Sequence, residues 1–569
     1  MSTPPARLLH FLLPLSLAII LTDAATPPSE ADALLAWMSS LGDPPELSTW
    51  TNATSLCSKW RGVTCDSSGR VSSLSFRNLG LAGGLDKLDS SAFPALAELD
   101  LNGNNLSGSI PASLSRLRSL SKLDLGSNSF DGSIPPQLGD LTGLVELRLY
   151  NNNLVGAIPH QLSRLPRIVH FDLGSNYLTN PDSRFSAMPT VQFLSLYLNY
   201  LNGSFPVFVL GCRNVTYLDL SQNTFSGPVT DALPARLPGL RHLNLSSNAF
   251  SGRIPASLAS LTMLQDLRIG ANSFTGGVPE FLGSMPELRI LELGGCPLGG
   301  RLPPVLGRLQ KLQRLDVSRA GLVSALPPEL GNLTSLVFME LDMNSLSGSL
   351  PATFARMRKM REFGISSNRL TGQIPGVLFA SWPELISFQV QNNSPTGEIP
   401  PEVGKATKLN FLYLFSNNLT GPIPSEVGEM VDLLELDLSV NWLTGPIPSS
   451  LGKLKQLTRL ALYFNGLTDA IPPDIWKHDG VANLGRQQQQ SGSGKLPPCL
   501  KNCTRLIRVR LEGNHFTGDI SEVFGVHPKL NYLDASGNQF TGRLSWDWSQ
   551  SSLIFFSMKA NCISELQQA

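Results

Sequence analysis

The sequence predicts an α/β repeat solenoid in which short strands from successive coils line one concave parallel sheet. Two observations carry this. The pattern L-x-x-L-x-L-x-x-N-x-L-x-G-x-I-P returns with its first apolar residue at Leu96, Leu120, Leu144, Ile168, Val191, Val215, Leu240, Leu264, Leu288, Leu312, Leu336, Met360, Leu385, Leu409, Leu433 and Leu457. It resumes at Leu506, Leu530 and Leu553, and a divergent first copy starts at Val71. Second, 42% of the 569 residues are hydrophobic and 15% charged, the balance of a packed chain rather than a disordered one.

One copy explains the period. In the segment from Leu409 to Pro424, Leu412 and Leu414 alternate with polar or aromatic neighbours, which predicts a short strand with one face inward. Asn417 ends it, where an inward amide can satisfy turn backbone groups that would otherwise be buried unpaired. Leu419 returns to the core, Gly421 permits a tight bend, and Ile423-Pro424 opens an extended, ladder-free convex side. A single coil cannot bury its own edges, so stability must come from stacked neighbours. The Asn slot holds Cys296 and Ala320 in adjacent copies, where local loosening is expected.

The 44 basic and 44 acidic residues cancel, leaving no broad field to favour nucleic acid or an anionic membrane surface. Arg7, the apolar run Leu8 to Leu21 and the small-residue exit Thr22-Asp23-Ala24-Ala25 have the anatomy of a cleaved signal peptide over residues 1–25. That run is short of the roughly 20 residues a membrane helix needs. Sequons at Asn52, Asn105, Asn202, Asn214, Asn244, Asn332, Asn418 and Asn502 fit a secreted, extracellular chain, whereas Pro395 makes the one at Asn392 a poor acceptor. Asn244 faces outward on its strand, so a glycan there would deny that repeat to a ligand. Of the seven cysteines at least one must stay unpaired; Cys296, in an inward slot, is the expected buried free thiol, leaving Cys212, Cys499, Cys503 and Cys562 unassigned.

The stretch from Ala31 to Cys65, with Cys57, Trp60, Gly62, Val63 and Cys65 in C-x-x-W-x-G-V-x-C, resembles the N-terminal cap of plant leucine-rich-repeat receptor kinases and receptor-like proteins. With the L-x-G-x-I-P repeats, the resemblance covers residues 31–569. It implies a plant-type leucine-rich-repeat superhelix, a Cys57–Cys65 disulfide, and a preceding helix that covers the first repeat. The expected organisation is a signal peptide at 1–25, a cap at 26–70, repeats at 71–475, a degenerate Gln/Gly/Ser-rich repeat at 476–505 whose strand is lost, and repeats at 506–569. A misassembled gene product is the other reading of 476–505. Family receptors carry a C-terminal cysteine cap, a membrane helix and often a kinase, none of which this sequence shows, so a truncated ectodomain, a soluble variant or an incomplete gene product is expected.

No catalytic or metal centre is indicated, and no cofactor. Asp100 and Asp124 fall one strand spacing apart, about 5 Å, the separation of a retaining glycosidase pair. Yet Asp recurs in that slot at Asp172, Asp219, Asp316, Asp437 and Asp534, which makes it a solvated repeat feature. His170 and His242 share a slot three repeats apart and read as surface histidines. Binding candidates are the outward residues: Phe411, Tyr413, Phe415, Tyr463 and Phe464 in one group, and Arg148, Tyr150, Phe193 and Tyr197 in another. Arg508 and Arg510, on alternate positions of one strand, resemble the R-x-R pair with which several plant peptide-hormone receptors hold a ligand's C-terminal carboxylate. The resemblance thus implies an extracellular peptide or protein ligand bound on the concave face, with a co-receptor kinase as a further partner. The alternatives are a secreted inhibitor or decoy of a cell-wall-degrading enzyme, like the polygalacturonase inhibitors, and a non-functional truncated product.

Overall fold

The computed structural model describes residues 29–51, 55–462 and 464–468, then 472, 482–483, 493–495, 508–510, 515–523, 527, 530–542 and 553–561. The signal-peptide residues, Asn52, Tyr463, Cys499, Asn502, Cys503 and Cys562 lie outside them, as do the side chains of Arg508 and Arg510.

The chain opens with a helix, Glu30–Ser40, whose first turn is capped by the Ser29 hydroxyl accepting the Asp32 amide proton at 3.2 Å. The helix lays Trp37 against Trp50 and Phe76, and Trp50 stacks on Trp60 at 5.2 Å; Trp37 and Phe76 are fully buried. Trp37, which lies outside the C-x-x-W-x-G-V-x-C motif, closes the end of the core. Cys57 and Cys65 are bonded, as the resemblance implied. The strand Val63–Cys65 then pairs antiparallel with Val71–Ser75, the first strand of the solenoid.

From there a single sheet runs parallel through every repeat to Ala482–Asn483; with the cap strand it has 19 strands. From Glu98–Asp100 to Arg459–Ala461 each concave strand has three residues, and its central residue, such as Leu99, Leu123 and Leu147, is buried. The register advances without slip, for example Glu98↔Lys122↔Glu146↔His170. Ladder asparagines hold the turns. Asn417 Nδ2 donates to Leu414 O at 2.8 Å and Val390 O at 3.2 Å, while its Oδ1 accepts the Asn393 amide at 3.0 Å. Gly421 adopts φ +74°, as its bend requires.

Three expectations are corrected. The side beyond the ladder is not ladder-free: short segments such as Asn418–Gly421, Trp442–Pro446 and Gly466–Thr468 form a second parallel ladder, and 3-10 helices such as Ser425–Glu429 and Ser449–Lys453 follow the Pro of their repeats. An extended Pro holds no amide proton to pair, but its fixed φ launches the turn that brings Leu114 and its equivalents inward. The degenerate segment keeps a strand, with Leu460↔Ala482 and Ala461↔Asn483 in register. Loosening at Cys296 and Ala320 is confined to the outer ladder, which is interrupted between Ser273–Thr275 and Val323–Ala325. The concave sheet passes that point intact, Ile290↔Arg314, and Cys296 Sγ donates to Ile269 O at 3.3 Å in place of an amide. Cys296 is a buried free thiol as expected, and so is Cys212, whose thiol burial pushes up to about 11.

Candidate functional site

Parallel, in-register strands place each outward slot in a straight column about 4.8 Å per repeat. In the first slot, His170, Phe193, Tyr217 and His242 occupy consecutive repeats. Their rings stack at 4.0, 4.2 and 4.0 Å, within 10° of parallel. Side chains on a concave surface converge, so ring tips approach more closely than the backbones that carry them. The histidines are therefore not independent surface residues but the two ends of one four-ring column. His242 Nδ1 meets Asp266 Oδ2 at 2.8 Å, and Arg268 Nε donates to Asp266 Oδ1 at 2.9 Å.

The second slot runs beside it: Arg148, Asp172, Ser195, Asp219, Asn244 and Arg268. Here the solvated-Asp reading fails. Asp100, Asp124, Asp172, Asp219 and Asp437 are all buried, and each accepts the amide proton two residues on, as in Gly174 N to Asp172 Oδ1 at 3.0 Å and Ser221 N to Asp219 Oδ1 at 2.9 Å. These carboxylates organise the strand-to-turn junction, which explains their recurrence without any catalytic role. Burial also lifts Asp172 to about 6 and, with the adjacent Arg148 charge, lowers His170 to about 4. Among the described residues neither Asp172 nor Asp219 forms an ion pair. Upstream, the charges are already matched: Arg148 meets Glu146 at 3.0 Å and Asp124 at 3.6 Å, and Lys122 bridges Glu98 and Asp100.

The other sequence candidates distribute unevenly around this column. Phe193 is inside it. Tyr197 lies over Gly174 and Tyr150 over Gly126, each occupying space that a Cβ on the glycine would fill. A glycine in the third outward slot followed one repeat later by Tyr is the sequence signal that would have located both. Asn102 Nδ2 donates to the Tyr150 hydroxyl at 2.7 Å. Farther along, Phe411, Tyr413 and Phe415 form a chain of rings along one strand, 6.2 and 6.4 Å apart, and Tyr413 donates to Glu435 at 2.7 Å. Arg459 neutralises Glu435 and Asp437. Phe464 sits off the concave face, at the left-handed corner (φ +52°) before Asn465. The strand Arg508–Arg510 pairs in parallel with Tyr532–Asp534.

Among the described residues no group of His, Cys, Asp or Glu could hold a metal, and no helix is long and apolar enough to cross a membrane.

The fold is a capped leucine-rich superhelix with a long concave face of unlike side chains. Residues 27–66 match the leucine rich repeat N-terminal domain, and leucine rich repeats match at 95–117, 119–141, 143–165, 239–261, 287–309, 408–430 and 432–454. Over 113 residues the chain is 35% identical both to a probable leucine-rich repeat receptor-like protein kinase of Arabidopsis thaliana and to polygalacturonase inhibitor 1 of Oryza sativa subsp. japonica. These matches take in 18% and 19% of this chain, and only 10% and 34% of those proteins. The crystal structure of PEPR1–AtPEP1 superposes with TM-score 0.75 at 30% identity, covering 94% of this chain and 79% of that one. The Arabidopsis receptor kinase HAESA, solved with the peptide hormone IDA and the co-receptor SERK1, gives TM-score 0.70 at 29% identity, with 94% of each chain covered. The chain belongs to the leucine-rich-repeat family of plant receptor kinases and receptor-like proteins and has the fold of their ectodomains.

Proposed function

We propose that the chain recognises an extracellular peptide, or an extended segment of a protein, along its concave face, and that the ring column from His170 to His242 is a principal contact. The supporting observation is the column itself. It runs across four strands, perpendicular to them, and so offers a continuous edge to an extended chain, flanked by the buried carboxylates of Asp172 and Asp219. Aromatic anchors of this kind dominate binding where they are partly covered and rigid before the ligand arrives. The HAESA structure with its bound peptide hormone makes a peptide the favoured class. On the same reading, Arg508 and Arg510 hold the ligand's terminal carboxylate, a co-receptor kinase joins the complex, and the chain acts outside the cell.

The test is selection of a random 12-residue peptide library on the secreted chain, followed by titration of selected peptides against wild type and a Phe193→Ala/Tyr217→Ala double variant. Losing two hot-spot rings should weaken binding by about 30-fold or more. No selected peptide, or equal binding to both proteins, overturns the reading. The match to polygalacturonase inhibitor 1 supports a second one, inhibition of a cell-wall-degrading enzyme. Dose-dependent inhibition of fungal polygalacturonase by the secreted chain would favour it.

A further inference from the structure

Outside the concave face, a cleft runs along the flank of the repeats between Ser416 and Gly466. Trp442 stands in it, 68% exposed, while the other described tryptophans, Trp37, Trp50, Trp60 and Trp382, are all buried. Val440 and Phe464 line the same cleft from successive left-handed corners. An exposed indole beside two further apolar side chains is costly surface for a monomer and marks a place that something covers.

The occupant is suggested by what lies on the rim. Asn418-Leu419-Thr420 is a glycosylation sequon in the outer strand Asn418–Gly421, with Asn418 and Thr420 exposed and Leu419 buried. Thr420 is the register partner of Trp442 in the adjacent strand. Asn418 is therefore a diagonal neighbour of Trp442 on the same outer face, within about 8 Å. On the far side, Thr444 pairs with Gly466, which has no side chain to crowd the indole.

We propose that this cleft seats an N-linked glycan carried by Asn418, with the Trp442 indole as the stacking platform for its first N-acetylglucosamine. The inference rests on the secretory reading of the chain. In the transfer, Asn418 Nδ2 bonds to C1 of the reducing-end sugar of a lipid-linked oligosaccharide; the C1–O bond to the lipid pyrophosphate breaks, and the amide gives up one proton. The apolar C–H face of the sugar then lies on the ring, covers Trp442 and closes this flank to protein partners.

The test uses the full chain secreted from plant cells, with glycopeptide mapping and site-by-site release by a peptide N-glycosidase from the native protein. Release at Asn418 should be about tenfold slower than at Asn332, exposed at the end of the 3-10 helix Pro328–Asn332, the range one aromatic stacking contact supplies. Trp442→Ser should make the two rates equal, and Trp442→Tyr should keep Asn418 slow. A modified Asn332 with an unmodified Asn418, or an unchanged rate in Trp442→Ser, overturns the proposal. An unmodified chain at every sequon removes the secretory reading and the proposal with it.

Discussion

The Tyr217 and His242 rings lie 4.0 Å apart and 2° from parallel, and His242 is tied in turn to Asp266, so the concave ring column has an anchored end. Tyr217 also stacks on Phe193 at 4.2 Å. Removing Tyr217 deletes two ring contacts at once, each worth about 0.5–1.5 kcal/mol beyond area burial. Tyr217→Ala is expected to destabilise the repeats around it by about 2–3 kcal/mol, whereas Tyr217→Phe should stay within about 0.5 kcal/mol. Solenoids unfold by neighbouring units, so the readout is amide exchange in strands 193–195, 217–219 and 242–244 rather than one global midpoint.

Acid should pull this patch in two directions. His170 is held neutral to about pH 4 by burial and by the Arg148 charge, whereas unfolded it takes a proton near 6.5. The unfolded state binds more protons in that window, so this group costs stability as pH falls from 6.5 to 4. Asp172, raised to about 6 by burial, does the reverse: folded, it holds a proton that the unfolded chain gives up near 3.8, so stability is gained as pH falls from 6 to 3.8. His170→Phe, which keeps a ring in the stack, should therefore gain on wild type as the pH drops from 6.5 to 4. Asp172→Asn should be more stable than wild type at pH 7 and lose that advantage near pH 4. Each shift spans about two pH units at 1.36 kcal/mol per unit, an upper bound of about 3 kcal/mol before solvent screening. Urea midpoints at pH 4, 5, 6 and 7 decide the signs.

The ladder slot offers a substitution in the stabilising direction. Asn272 makes three amide donations and accepts the Phe250 amide, while Cys296, one repeat on, makes a single donation to Ile269 O. Cys296→Asn should restore the pattern and raise stability by about 1 kcal/mol, one net hydrogen bond. Asn152→Ala should cost about 2–4 kcal/mol, because Leu125 O, Leu149 O and the Phe130 amide lose their partner in the interior. Thermal unfolding of both variants checks the pair.

Asn244 puts two expectations in competition. Its amide donates to Asp219 Oδ2 at 3.1 Å and to Ser221 Oγ at 3.2 Å, one slot from Tyr217 and His242. A glycan there would stand on the proposed ligand track, which is why the sequence argued for binding elsewhere. With the ring column as the contact, Asn244 is expected to be unmodified in protein secreted by plant cells. Mass spectrometry showing high occupancy at Asn244 would move the binding site away from this column, toward Phe411, Tyr413 and Phe415.

Periodicity made the solenoid legible, because each strand's inward leucines and its ladder Asn answer to local geometry that a single copy displays. The cap disulfide came from the resemblance. What stayed hidden depends on which residues share a column. The stack from His170 to His242 is made of residues 23 to 25 positions apart, so each looked isolated when read along the chain. Asp124 looked solvated because alternation puts its slot outward, yet its carboxylate turns back to the Gly126 amide and the side chain is fully buried. Trp37 escaped because its partners, Trp50 and Phe76, belong to a loop and to the position just after the strand Val71–Ser75.

Arg508 and Arg510 lie at alternate positions of one strand in a three-stranded parallel sheet, with Arg508 in register with Tyr532 and Arg510 with Asp534. Alternate residues of a strand share a face, so the pair resembles a clamp for a carboxylate, a group that two guanidinium forks hold with charge-assisted, partly bidentate hydrogen bonds. A hydrogen bond to a charged group is worth about 1.5–3 kcal/mol, so Arg508→Ala/Arg510→Ala should weaken a peptide with a free C-terminus by about 10- to 150-fold. The same peptide made as its C-terminal amide should bind wild type and the double variant alike, because the charge that the pair would recognise is gone. Calorimetric titration of acid and amide forms against both proteins gives the four numbers needed. Equal affinity of wild type for acid and amide rules out carboxylate recognition by this pair, whatever the variant does.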